Sequence, residues 1–415
     1  MDARQAKVDA HDGAGLEPAI RSLVVSLCRR DPLSPAARGE LARLDDASFR
    51  ARFLELARNL RVLGVVLVRL DREAALSLSD ATMRELRAVL RNLRHAAAGY
   101  ELERDRVLAR LRRDGVDPVA LKGAALRGTL YTEPAERQAA DIDLLVSRDE
   151  WQPALQSLLR SGYLSPSAEV VAAYERHHFH LRLQHLLGYV VELHWALTKP
   201  EEPFKLDPDA FRAHSVPAER RTGTSLRVPR NEHMLLHLVL QSVSESFLTF
   251  SRIVDVDRIV SRGTLDWDFI AVEAQRAGLS AALTLTVELA QQLLGTEIPA
   301  SVGERLRLTR GVRVHVDLLE PAGRMLAPID PRRSAADRLM DFWLLPTARD
   351  RAGALSRLLA EGSTERVART LGESAEPVSG RVFSLVKLFA YQASLYLAAA
   401  RRPAPVERDH PRITC

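Results

Sequence analysis

Between Val116 and about Val228 the chain abandons the three- and four-residue apolar spacing that precedes it. It falls instead into short apolar runs separated by helical segments. Long amphipathic patterns lie on either side. FRARFLELARNLRVLGVVLVRL and DATMRELRAVLRNLRHAAAGYELERDRVLARLRRDG precede the switch, the second ending at Gly115 as a C-cap. NEHMLLHLVLQSVSES, SRIVDVDRIVSRG and WDFIAVEAQRAG follow it. A strand buried beside helices needs neighbours, so the switch predicts a small sheet enclosed by helices. The expected organisation is a disordered start (1–15), a helical region (16–114), a core of strands and helices (115–230), a second helical region (231–400) and a disordered tail (401–415). The fold class is α+β, and no repeat of fixed period interrupts it.

Inside the core the spacing predicts a strand at DPVAL, a helix opening at Gly123, a strand at DIDLLV, an amphipathic helix stopping at Gly162 and a strand at YVVELHWAL. Side chains alternate faces along a strand. Asp141 and Asp143 therefore project together while Ile142 and Leu144 enter the interior. Glu192 is the one acid in its apolar strand, and His194 shares its face. Two adjacent carboxylates repel unless a cation sits between them, and a hard divalent ion suits oxygen donors and phosphate. The turn at Leu121-Lys122-Gly123 offers backbone N–H groups and the Lys122 ammonium to an anion. Each feature also has a plain structural reading: solvated acids, a surface lysine, a salt-bridged Glu192. Together they describe a site in which three carboxylates hold metal for phosphoryl chemistry. No GxxxxGK[ST] and no GxGxxG after a strand is present, which sets aside P-loop and Rossmann sites.

These residues resemble the DNA polymerase β-like nucleotidyltransferase superfamily. More narrowly, they resemble its bacterial "uncharacterised nucleotidyltransferase" family. The resemblance rests on Leu121-Lys122-Gly123, Tyr131, Arg137, the DIDLLV strand from Asp141 to Val146, and Glu192-Leu193-His194-Trp195. With the helical lead-in and the VDVDRIVSRGTLDWDFI segment it covers most of residues 16–280. It implies a polymerase β-like core at 115–230 and transfer of a nucleoside monophosphate from an NTP, with release of pyrophosphate. Asp141, Asp143 and Glu192 would be the catalytic and metal-binding acids, with Mg²⁺ or Mn²⁺ as cofactor. Lys122, Gly123 and Arg137 would bind the nucleotide, Arg137 by orienting a phosphate or by fixing the acids. The acceptor expected is a hydroxyl or phosphate of a small molecule or peptide. A toxin-like enzyme acting on tRNA and a non-catalytic nucleotide-binding module are the alternatives. The chain departs from the superfamily in having Gly123-Ala124 where Gly-Ser is more usual, and in a longer gap from Gly123 to Asp141.

The remaining features constrain less. A formal net charge of +5, from 59 Lys+Arg against 54 Asp+Glu, tolerates an anionic substrate without marking a dedicated nucleic-acid binder. Two cysteines, Cys28 and Cys415, allow no disulfide framework, and Cys28 reads as a buried hydrophobe. The start has no apolar h-region, and the apolar stretch 382–400 is broken by Lys387 and Gln392. A cytoplasmic protein without membrane contact is expected. His177, His178, His180 and His185 cluster; a zinc site is the alternative reading, but no Cys, Asp or Glu completes a tetrahedral set at suitable spacing, so a strand or helix lining the acceptor cleft is expected. His237 and Asp255 are expected in core or capping roles. Trp151, Trp195 and Trp267 are expected in the core, and the Arg104–Arg113 run on a solvated helix face.

Overall fold

The computed structural model describes residues 17–73, 78–218, 225–245, 247, 249–319, 321–326 and 343–353. The two termini, including Cys415, and the apolar stretch 382–400 lie outside them. Five helices lead in: α1 (17–28), α2 (Pro35–Leu41), α3 (Ala47–Asn59), α4 (Leu63–Glu73) and α5 (Asp80–Arg113). The pattern FRARFLELARNLRVLGVVLVRL reads as continuous, yet the structure breaks it between α3 and α4. Arg61 turns left-handed at φ 58°, and its N–H donates to the Arg58 carbonyl while that of Val62 donates to Ala57. This is a Schellman stop with arginine in the place glycine usually takes, so no residue signal marks it.

The core then runs β1 (Val119–Ala120), α6 (Lys122–Thr129), β2 (Asp141–Leu145), α7 (Trp151–Arg160), β3 (Tyr163–Leu164), α8 (Ala168–His177), β4 (His180–His185), β5 (Val190–His194), α9 (Pro208–Ala213), β6 (Ser215–Ala218) and β7 (Leu226–Pro229). The seven strands form one mixed sheet in the order β3-β4-β5-β2-β1-β7-β6. β2 lies parallel to β5 and β1 parallel to β7; the other pairs are antiparallel. β1, α6, β2, α7 and β5 stand where the apolar spacing predicts them. The short strands β3, β6 and β7 have too little alternation to announce themselves, whereas β4 does alternate, in HLRLQH.

The register sorts the two faces. Ile142, Leu144, Val191, Leu193, Leu181 and Leu183 share one face and are all buried. The opposite face carries Asp141, Asp143, Glu192, His194 and His180. Helix α5 anchors this arrangement, because the Tyr100 hydroxyl donates to the Asp141 carbonyl at 2.8 Å. Arg104, also on α5, is wholly buried and donates to the Ala124 carbonyl of α6 at 3.3 Å. This corrects the expectation of a solvated face for that part of the arginine run. Arg106, Arg110 and Arg112 do reach the surface, paired with Glu103, Asp114 and Asp117.

After the sheet come α10 (Asn231–Ser244), α11 (Phe250–Arg262), α12 (Trp267–Arg276) and α13 (Ser280–Leu294), followed by α14 (Ala300–Arg305), α15 (Arg310–Leu319) and α16 (Pro321–Met325). α10, α11 and α13 pack mutually, with buried faces such as Leu235, Ile253, Ile259 and Leu283. Cys28 is buried and its thiol is pushed up to about 12 by burial, in keeping with a hydrophobic role. Among the described residues no helix is long and apolar enough to cross a membrane. Trp151 and Trp195 stack obliquely, 4.7 Å between ring centroids, inside the core, and Trp267 packs against its edge.

One close backbone approach makes a stability prediction. A Cβ on Gly64 of α4 would lie 1.9 Å from the Ala135 carbonyl oxygen, so backbone would have to move. Gly64→Ala is expected to cost about 1–3 kcal/mol, read as a lower urea midpoint with an unchanged slope. An unchanged midpoint would mean that the approach of α4 to residues 134–136 is not tight.

Candidate active site

Five groups meet on the polar face of the sheet. Because β2 and β5 run parallel with Asp143 opposite Glu192, the two carboxylates stand side by side. Asp141 lies one pleat along the same face, and the side chain of Asp143 is fully buried. The compensating charge comes from the turn between β1 and α6. Lys122 places its Nζ 2.7 Å from Asp143 Oδ1 and 3.4 Å from Glu192 Oε2. To reach them its backbone adopts φ 45°, a left-handed conformation that non-glycine residues hold only where their surroundings enforce it. Burial opposes the Lys122 ammonium, but Asp143 and Glu192 outweigh it and hold the lysine above its ordinary range.

The carboxylates differ in environment. Asp141 is raised by burial, then by Asp143 and Glu192, with Lys122 only partly offsetting them. Glu192 is opposed by burial but held well below the usual range by the His194 hydrogen bond and by Lys122. His194 Nε2 lies 3.1 Å from Asp143 Oδ1 and 3.6 Å from Glu192 Oε2. Asp143 Oδ2 is buried and has no hydrogen-bond partner among the described residues. Three carboxylates against one ammonium leave two negative charges, and one buried carboxylate oxygen faces nothing. That donor set fits a divalent cation: Asp141, Asp143 and Glu192 are all-oxygen donors of the kind Mg²⁺ takes.

The structure therefore brings together Lys122, Asp141, Asp143, Glu192 and His194. The other two residues expected to bind nucleotide, Gly123 and Arg137, make packing and ion-pair contacts. A Cβ on Gly123 would meet Ala139 Cβ at 2.5 Å, so this glycine admits a neighbouring chain segment. Arg137 is buried, and its Nε lies 2.9 and 3.0 Å from the two carboxylate oxygens of Asp255 on α11. The Tyr131 hydroxyl donates to the same Asp255 at 2.5 Å. Burial opposes the Arg137 charge, but Asp255 and Tyr131 keep the guanidinium firmly ionised. Tyr131 and Arg137 are thus joined through one acid in the VDVD segment.

The histidine cluster divides. His177 is exposed, His178 stacks on Tyr174 at 4.6 Å, and His185 Nδ1 accepts from the Leu187 N–H at the β4–β5 turn. Only His180 reaches the acids, its Nε2 3.9 Å from Glu192 Oε1. The antiparallel pairing of β4 with β5 sets His180 directly across from His194, so the acid missing from the local spacing arrives from the next strand. Burial, then His194, lowers the His180 ring to about 3, which keeps it neutral. The alternation HLRLQH, with Leu181 and Leu183 buried, was the signal that puts His180 on the polar face. His237 of α10 is buried and held well below its usual range by burial, then by Lys122 and His194.

A family model described as "Uncharacterised nucleotidyltransferase" matches residues 49–295. The chain belongs to that family. Membership carries nucleotidyl transfer as the general activity, and the match spans α3 to α13, including the whole sheet. No curated protein and no solved structure matches the chain.

Two expectations separate chemistry from scaffolding. Folding makes Asp141 a weaker acid, with its pKa above the unfolded value, so its contribution to stability is present below the unfolded value and is lost as pH rises through the folded one. At neutral pH, without added metal, it is a cost. Asp141→Asn is expected to raise the melting temperature by at least about one degree at pH 7, and the gain should vanish near pH 3. Arg137→Ala removes the nearest cation from the buried Asp255 carboxylate, leaving it the Tyr131 hydroxyl and the more distant Arg252, and should cost about 3 kcal/mol. Urea unfolding checks this; an unchanged midpoint would remove Arg137 from the scaffold.

Proposed function

We propose that this protein is a metal-dependent nucleotidyltransferase with a polymerase β-like core. It moves a nucleoside monophosphate from an NTP to a hydroxyl or phosphate of a small molecule or peptide. The observation that carries this reading is the parallel register of β2 and β5. That register sets Asp143 beside Glu192 with a buried oxygen unsatisfied and two negative charges uncompensated. Asp141, Asp143 and Glu192 would hold Mg²⁺ or Mn²⁺, which when bound would neutralise charge on the α-phosphate and the departing pyrophosphate.

The chain's own residues would do the rest. Glu192, beside the acids that would hold the metal, would help take the proton of the acceptor hydroxyl as its oxygen attacks the α-phosphorus and the bond to pyrophosphate breaks. Lys122 now stands as an internal cation on Asp143 and Glu192. With metal on the acids, its ammonium is free to turn to the triphosphate at the start of α6. Arg137 acts at one remove, by locking the segment before β2 to α11 through Asp255.

The test incubates the protein with each labelled NTP, Mg²⁺ and candidate acceptors, and follows pyrophosphate. Asp143→Asn is expected to reduce its release at least about 100-fold while circular dichroism stays unchanged. Turnover that persists in this variant overturns the role of Asp143. Failure of any NTP to bind at millimolar concentration overturns the transfer reading.

A further inference from the structure

We propose that His180, Glu192 and His194 form a site for one transition-metal ion of the Zn²⁺ class, which shares Glu192 with the all-carboxylate Mg²⁺ set and differs from it by its two imidazoles. The inference rests on the nucleotidyl-transfer reading only for what the ion would serve. The ligand set itself rests on geometry. One donor atom from each of the three residues lies within 4.8 Å of the others. Glu192 divides its oxygens: Oε1 faces His180 Nε2 at 3.9 Å, and Oε2 faces His194 Nε2 at 3.6 Å. Ligands at tetrahedral zinc, with metal–ligand bonds of about 2.0–2.2 Å, stand roughly 3.3 Å apart. Side-chain movements of up to about 1.5 Å would bring the donors to that spacing.

The backbone already holds the three donors on one side. His180 pairs across from His194, and Glu192 lies two residues before His194 in β5, so all three share a face. The rings are held by aromatic contact, with Phe179 centroids 4.4 Å from His180 and 5.7 Å from His194, and the two imidazoles 4.9 Å apart. Both Nδ1 atoms are buried without a hydrogen-bond partner among the described residues. Two imidazoles and one carboxylate select borderline ions such as Zn²⁺ and Co²⁺ over Mg²⁺, which prefers oxygen alone. Three protein ligands leave a coordination position open for water or substrate. Coordination at His194 Nε2 would replace its contact with Asp143 and leave Asp143 Oδ1 to Lys122 or to Mg²⁺.

Titration of chelator-treated, desalted full-length protein with Co²⁺ tests this directly. The expected result is one equivalent bound, with visible d–d absorption of a tetrahedral or five-coordinate site. Stoichiometric Zn²⁺ should displace it, and millimolar Mg²⁺ should not. His180→Gln should weaken Co²⁺ binding by about 100-fold or more, with the circular dichroism spectrum unchanged. The wild-type titration decides even if that variant does not fold. Absence of the absorption band, or displacement by equimolar Mg²⁺, overturns the proposal, as does equal affinity in a folded His180→Gln. Co²⁺ binding without pyrophosphate release from any NTP would support this site and count against the transfer reading. Release of pyrophosphate with Mg²⁺ but no Co²⁺ band would do the reverse.

Discussion

The parallel pairing of β2 with β5 is the constraint on which the site depends. It forces Asp143 and Glu192 into adjacent positions on one face, one of them wholly buried. Like charges that close are tolerated only with compensation. The structure supplies it from Lys122, at the cost of a left-handed backbone where β1 passes into α6. The hydrophobic strand faces, the Tyr100 anchor on the Asp141 carbonyl and the His194 contact all serve to keep that pair in register. The arrangement resists relaxation, which is how strain and unpaired charge persist at functional sites.

A second buried ion cluster does different work. Tyr131, Arg137 and Asp255 bind the segment before β2 to helix α11, joining the sheet to the helices that follow it. The same short stretch of sequence thus carries two kinds of motif residue. Lys122, Asp141 and Asp143 meet on the polar face of the sheet, and Tyr131 and Arg137 tie the sheet to α11. Asp255 and Asp257 of α11 both make structural contacts, with different partners. Asp255 holds Arg137, while Asp257 accepts from Thr296 at 2.8 Å and pairs with Arg258 and Arg30. Arg137, Asp255 and Asp257 are buried and paired, as burial of charge requires.

Legibility in the sequence followed the strength of the local pattern. β2 and β5 alternate strongly between apolar and polar, so their position and the facing of Asp141, Asp143, Glu192 and His194 could be read directly. β3 and β6 are short and half exposed, and such strands leave no periodic signal. The stop at Arg61 was invisible because arginine, and not glycine, takes the left-handed position. Arg104 looked like one more surface arginine; only the packing of α5 on α6 shows it to be interior. His180 stood in a local cluster with no acid nearby, and its acid comes from the neighbouring strand.

The sequence by itself determined the family, the mixed character of the core and the acids that share a strand face, because alternation and helical spacing are properties of nearby residues. Tertiary structure alone decided which cation stands on those acids, that Arg137 is held by Asp255, and that His180 joins Glu192 and His194. Each of those is a contact between residues far apart in the chain. Such contacts are set by strand register and helix packing, which act through burial of the whole core and leave no mark on any one segment.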